Sequence, residues 1–135
     1  MSRKVARERV FKILFAIDIG ENTVEEAQDL AVPHISDESQ KKFILKEVEG
    51  VLKNIAEIDD IINEFSSDWS VDRMAGTDRN ILRLAIYEIL FSKDIPVSVS
   101  INEAVEISKK YCDYQSYKFV NGLLGSIAKR KSSEL

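Results

Sequence analysis

One cysteine and one histidine are all the soft metal-binding and nucleophilic side chains this chain has. A single cysteine excludes an internal disulfide. Cys112 and His34 stand far apart in sequence, which does not suggest a zinc site or a Cys–His nucleophile. Cys112 is expected to be a small semi-buried residue and His34 a loop residue. Carboxylates are plentiful but unclustered, so neither a metal nor a cofactor is expected. Long apolar runs are also missing, and no window approaches the roughly 18 residues a membrane span needs. The basic N-terminus is not followed by an apolar signal core, because charge recurs at Lys12 and Asp18, and a cytoplasmic location is expected. There is no Gly-rich phosphate loop, no Gly-x-Ser-x-Gly and no His-Glu-x-x-His, so the usual catalytic signatures are absent. Acid pairs such as Asp59-Asp60 and Glu25-Glu26 are neighbours on polar helix faces. Adjacent helical residues do not face each other, so these pairs read as solvated surface. The chain is expected to bind rather than to catalyse.

What is present is helical material. The 135 residues carry 44% apolar and 31% charged side chains with only 2 Pro and 5 Gly, the composition of a soluble helical domain. The net charge of -4 argues against a generic nucleic-acid binder, but the charge is unevenly spread. Arg3, Lys4, Arg7, Arg9 and Lys12 crowd the first segment against the single Glu8, and Lys129, Arg130 and Lys131 close the chain. Acid dominates between Glu21 and Glu64. Such separation points to a local basic footprint on an acidic body; the plainer reading is a solvated helix face and a charged tail.

Periodicity places the helices. The first is expected over Ser2–Ile19, stopping at Gly20, with Ala6, Val10, Ile13, Leu14 and Ile17 inward. Lys4, Arg7, Phe11 and Phe15 fall on a neighbouring stripe, where cations interleaved with rings could pair phosphates and stack bases; Phe11 is assigned to the core. Thr23 and Glu26 form a capping box for a short helix that ends before Pro33. Ser36 or Asp37 caps the next, in which Ile44, Val48, Val51, Ile55, Ile58, Ile62 and Phe65 recur at helical steps; the pattern does not decide between one helix and two over residues 37–65. Residues 68–76 read as a connector with room for one helical turn, and Trp69 is expected to pack into a seam there. Thr77 or Asp78 caps a helix that is apolar on nearly every side and therefore central. Pro96 breaks it, Ser100 and Glu103 suggest a second capping box, and Ser116 is the expected cap of the last helix. Gly122 in that helix implies close approach of another backbone. No segment favours strand, so the expected fold is an all-α bundle of about six or seven helices in two subdomains, residues 1–68 and 69–135.

The ordered blocks between Asp78 and Ile127 carry more than periodicity. They read Asp78-Arg-Asn-Ile-Leu-Arg-Leu-Ala-Ile-Tyr-Glu-Ile-Leu, then Asp94-Ile-Pro, then Ser100-Ile-Asn-Glu-Ala-Val-Glu-Ile, then Lys118-Phe-Val-Asn-Gly-Leu-Leu. This succession resembles the C-terminal half of the bacterial NusB antitermination family, and Arg7-Glu-Arg-Val-Phe-Lys-Ile-Leu-Phe extends the resemblance to the N-terminal third. Residues 20 to 65 match only as an apolar pattern. The resemblance implies an all-helical protein of two subdomains that binds boxA RNA together with NusE (ribosomal protein S10) and helps RNA polymerase read through terminators, notably in ribosomal RNA operons. It implies RNA contacts at Arg3, Lys4, Arg7 and Phe15, at Asp78, and at Gln115 and Phe119, with Lys118 adjacent, and NusE against the C-terminal helices. Gln115 stands where some members have an acid. Within the fold, a NusB-like domain also precedes the catalytic domain of some RNA cytosine methyltransferases; with no such domain after Leu135, that activity is not expected. A helical scaffold that binds only protein is the alternative from another class, and monomer and homodimer are equally open for the free chain.

Overall fold

The computed structural model describes residues 1–32 and 35–133. Pro33 and His34, expected to end the second helix and to sit in a loop, lie outside the described residues. Among those described there are seven α-helices and no strand. Their packing separates two units, Met1–Lys53 and Asn54–Leu135. The expected seam lay further on, after residue 68. The difference arises because the helix just past Lys53 packs on the later helices and so belongs with them.

In the first unit, α1 (Arg3–Asp18) packs on α2 (Val24–Ala31) and α3 (Glu38–Lys53). The Ser2 hydroxyl accepts from the Val5 amide at 3.2 Å, satisfying one of the donors every helix start leaves open. Ala6, Val10, Phe11, Ile13 and Leu14 are buried against a set that includes Ala27, Ile44, Val48 and Val51. Gly20, just past the end of α1, leaves no room for a side chain: a Cβ there would lie 2.7 Å from the Ala16 carbonyl oxygen. The Thr23–Glu26 capping box forms in both directions. Asp37 caps α3, its Oδ1 accepting from the amides of Ser39 at 3.0 Å and Gln40 at 3.3 Å.

The second unit begins with α4 (Ile55–Phe65), so residues 37–65 form two helices broken at Asn54, where φ is -108 and ψ 16. A short 3-10 turn, Val71–Arg73, leads into α5 (Gly76–Phe91), α6 (Val97–Tyr111) and α7 (Tyr114–Ser133). Helix α5 packs on α4, α6 and α7, and every residue from Asn80 to Ile89 is buried. Its polar residues are met in place. Arg83 donates to both carboxylate oxygens of Asp59 on α4, at 2.9 and 2.8 Å, and the Ser100 hydroxyl on α6 donates to Glu88 at 2.8 Å. At the far end Arg130 forks onto Glu64 of α4, lowering that carboxyl's pKa through the hydrogen bond, and its guanidinium lies 4.5 Å from the Phe65 ring centroid. Lys131 donates to the Ile89 carbonyl.

Several local expectations are corrected. Ser100 is not a cap: α6 starts directly after Pro96, whose φ of -59 and ψ of 138 set the chain for a helix start, and Ser100 lies inside the helix on Glu88. The start of α5 has no side-chain cap from Thr77 or Asp78, because the helix already begins at Gly76. The last helix is capped by Asp113, not Ser116. Trp69 is 56% exposed rather than packed in a seam. Among the described residues, no atom outside the adjoining backbone of α7 lies within 4 Å of a Cβ built on Gly122, so no neighbouring helix requires a glycine. Replacing Gly122 by alanine should therefore raise stability by about 1 kcal/mol, the helix-propensity difference. A thermal melt that shows Gly122→Ala less stable than the parent would mean that this face is packed.

Candidate nucleic-acid interface

Two sets of expected contact residues occur, one in each unit. In the first unit, steps of four put Arg3 and Arg7 on one row of α1, and both lie over Phe43 of α3, 4.2 and 5.4 Å from its ring centroid. Arg3 also donates to Gln40 at 2.9 Å. The two arginines differ in access. Arg3 and Lys4 are exposed, whereas Arg7 is only 4% exposed. A guanidinium so shielded contributes to packing through its stem and its ring contact, and the solvent-facing charge of the stripe rests on Arg3, Lys4 and Lys12. Phe11 is buried, as assigned. Phe15 is half-buried, 6.2 Å from Phe11 between centroids and tilted by 52°, so part of its ring faces outward.

In the second unit, Asp78, Gln115 and Phe119 line a single pocket of about 310 Å³ together with Trp69, Arg73, Met74, Ala75, Asp113 and Ser116. The corner that brings them together is built by short polar side chains. Asp113 accepts from the Ser116 amide at 2.8 Å and fixes the first turn of α7. The Ser116 hydroxyl donates to Oδ2 of Asp78 at 3.3 Å, tying that turn to the first turn of α5. Gln115 is exposed and lies one helical turn before Phe119, on the same face. Phe119 is half-buried beside the buried Val120, Leu123, Leu124 and Ile127, at the edge of the apolar stripe of α7. Lys118 points to a different neighbourhood: its ammonium lies 5.2 Å from the centroid of Tyr114, a ring 61% exposed that meets Tyr117 edge-on at 4.9 Å.

The electrostatics of the pocket divide its surface. Asp78 and Asp113 make the interior unfavourable for a phosphate, while the carboxylate and the Gln115 amide can meet the polar edge of a base. Burial pushes the Cys112 thiol above its ordinary pKa, and the nearby Asp78 carboxylate acts in the same direction. The thiolate is thus disfavoured. Oδ1 of Asp78 is shielded and meets no N–H or O–H donor among the described residues; the Cys112 thiol lies against the Asp78 carboxylate as a weak donor. Trp69, Arg73 and Met74 were not expected here. The usable signal was an aromatic residue followed four positions later by a cation inside a connector.

Residues 4–129 match the NusB family. The transcription antitermination protein NusB of Pelotomaculum thermopropionicum is 47% identical over 128 residues, covering 94% of this chain and 89% of that protein. A solved structure of T. maritima NusB has a TM-score of 0.89 at 38% identity and covers 100% of this chain and 99% of the other. A crystal structure of the antitermination factors NusB and NusE in complex with dsRNA has a TM-score of 0.87 at 32% identity, covering 95% of this chain and 96% of its own.

Two outcomes follow from the exposures. Arg7→Gln should cost stability, about 1–2 kcal/mol for a desolvated cation–ring contact, whereas the exposed Lys4→Gln should stay within about 0.5 kcal/mol of the parent. Equal melting temperatures for the two variants would show that Arg7 is not held as described. Phe119→Ala should cost less than the roughly 3–5 kcal/mol of a fully buried ring and should weaken RNA binding by on the order of tenfold. A folded Phe119→Ala variant with undiminished RNA affinity would exclude Phe119 as a ring on which a base stacks.

Proposed function

The chain belongs to the NusB family, and we propose that it acts as a cytoplasmic, non-enzymatic antitermination factor that binds boxA RNA together with NusE and promotes read-through, notably in ribosomal RNA operons. The observation that carries the reading is the α5–α7 corner. Asp78, Gln115 and Phe119, spread over half the second unit's sequence, share one pocket, and a ring beside an amide and a carboxylate is the chemistry that recognises an unpaired base. The crystallised relative bound to NusE and dsRNA supports the same partners.

The proposed roles are divided by exposure. Arg3 and Lys4 pair with phosphates and supply the sequence-independent part of the affinity. Arg7, beneath them, holds the same Phe43 ring as Arg3 and positions the stripe. Phe15 offers its outward edge for stacking. Asp78 and Gln115 meet a base edge, Phe119 stacks, and Lys118 neutralises backbone charge near the corner. The net charge of -4 works against RNA at long range, so NusE on the C-terminal helices would add the missing positive surface. A scaffold that binds protein alone has no specific observation in its favour.

A boxA RNA titration at several salt concentrations, with and without NusE, tests this. NusE should tighten binding, and the logarithm of the affinity should fall linearly with the logarithm of salt. Replacing Arg3 and Lys4 by glutamine should flatten that line by about 0.7 for each single-strand phosphate the chain no longer neutralises. Equal affinity with and without NusE, or a slope unmoved by the double variant, would count against the reading.

A further inference from the structure

We propose that the connector before α5 supplies the other half of the corner pocket, with Trp69 as a stacking surface and Arg73 as the phosphate contact for one unpaired nucleotide of the bound RNA. This rests on the RNA-binding reading above and adds two residues to it.

Trp69 is the only tryptophan of the chain, and its side chain lines the pocket while 56% exposed. An indole is among the largest apolar groups a fold can bury, and one left largely in solvent at the wall of a pocket has a flat face on which a base can stack. The connector that follows it is held in place. The Val71 amide donates to the Asn63 side chain at 2.7 Å, and Arg79 donates to the carbonyls of Val71 at 3.2 Å and Met74 at 3.5 Å. Val71 and Met74 are buried, and the amide of Arg73 closes on the Ser70 carbonyl at 3.0 Å. The segment flanking Trp69 is therefore anchored on both α4 and α5, which lowers the ordering cost of binding.

The dimensions and charges select the ligand. A volume of about 310 Å³ is at the bottom of the range of small-molecule pockets, about 300–1,000 Å³, and suits one base rather than an extended ligand. Two aromatic residues, Trp69 and Phe119, line it, and stacking tolerates any base because each has a π-face. Asp78 disfavours a phosphate inside. Arg73 is exposed and is the lining cation, so the base enters and its phosphate stays outside on the guanidinium.

The lone tryptophan makes its own reporter. With unlabelled boxA RNA added to the chain and NusE, Trp69 emission should be quenched along the same titration curve that labelled RNA gives by anisotropy, and Trp69→Phe should abolish the signal while keeping affinity within about threefold. Trp69→Ala should weaken RNA binding by on the order of tenfold without weakening NusE binding. Arg73→Gln should lower the salt slope by about 0.7, the value for one single-strand phosphate. Full RNA affinity with unchanged Trp69 emission would overturn this proposal and leave the RNA-binding function standing. A Trp69→Ala variant that loses NusE but not RNA would overturn it in favour of a protein contact. A parent chain that binds no RNA even with NusE would overturn the function and the pocket together. If Trp69→Ala fails to fold, the quenching comparison with Trp69→Phe still decides.

Discussion

The burial of α5 is the constraint on which the second unit depends. Every residue from Asn80 to Ile89 is out of solvent, so the helix must be covered on all sides and each polar group it carries must be met where it lies. Arg83 reaches the Asp59 carboxylate on α4, Glu88 takes the Ser100 hydroxyl from α6, and the Asn80 amide returns to the Gly76 carbonyl at 2.8 Å. Apolar contacts alone would tolerate a helix sliding or turning by one residue. The buried Arg83 guanidinium does not, since separating it from Asp59 strands a charge in low dielectric, a cost of about 3–5 kcal/mol in measured cases, and Glu88 adds a directional hydrogen bond from Ser100. The polar residues of α5 thus set the register of its neighbours, and the apolar ones supply the driving force.

That register determines where the first turn of α5 emerges, and hence where the pocket is. Asp78 is the first acidic residue past the start of α5. It sits at the helix's positive end, where a carboxylate is favoured, and it can receive Ser116 only if α7 begins at the right height. Asp113 secures that start. Two short acids and one hydroxyl therefore hold the corner, and the larger groups, Gln115, Phe119, Trp69 and Arg73, are displayed from it. In the first unit the order is similar: a buried arginine and a half-buried ring lie beneath exposed cations. In both places the exposed group rests on a second polar or aromatic group that fixes it.

The fold class and most elements were legible because the apolar spacing was long and regular, and because Thr23, Glu26 and Asp37 sit where helix ends need acceptors. The failures share a cause. Ser100-x-x-Glu103 and Ser116 look like caps, but each serine's hydroxyl has a tertiary partner, Glu88 or Asp78, that no local pattern reveals. Gly122 suggested a close packing partner, and the structure puts open space there. The division of the chain fell at Asn54 because helix-to-helix packing, and not the composition of the connector, decides which helices belong together. Asp78, Gln115 and Phe119 were named through the family resemblance. Their meeting in one pocket depends on tertiary packing, and so does the exposure of Trp69, which its apolar character alone argued against.

The exposed tryptophan also bears on how a chain of net charge -4 can serve RNA at all. Long-range attraction is weak for such a body, so affinity has to come from contacts that act at short range and are insensitive to the overall field. Stacking on rigid rings and hydrogen bonds to base edges are such contacts, and both favour unpaired nucleotides whose faces and edges are free. A few exposed cations then suffice to hold the backbone. The proposed division of labour, acid and amide beside the rings of the pocket with cations at its edge and on α1, is what that physical requirement calls for. It would also make recognition depend on the RNA's local conformation more than on its total charge.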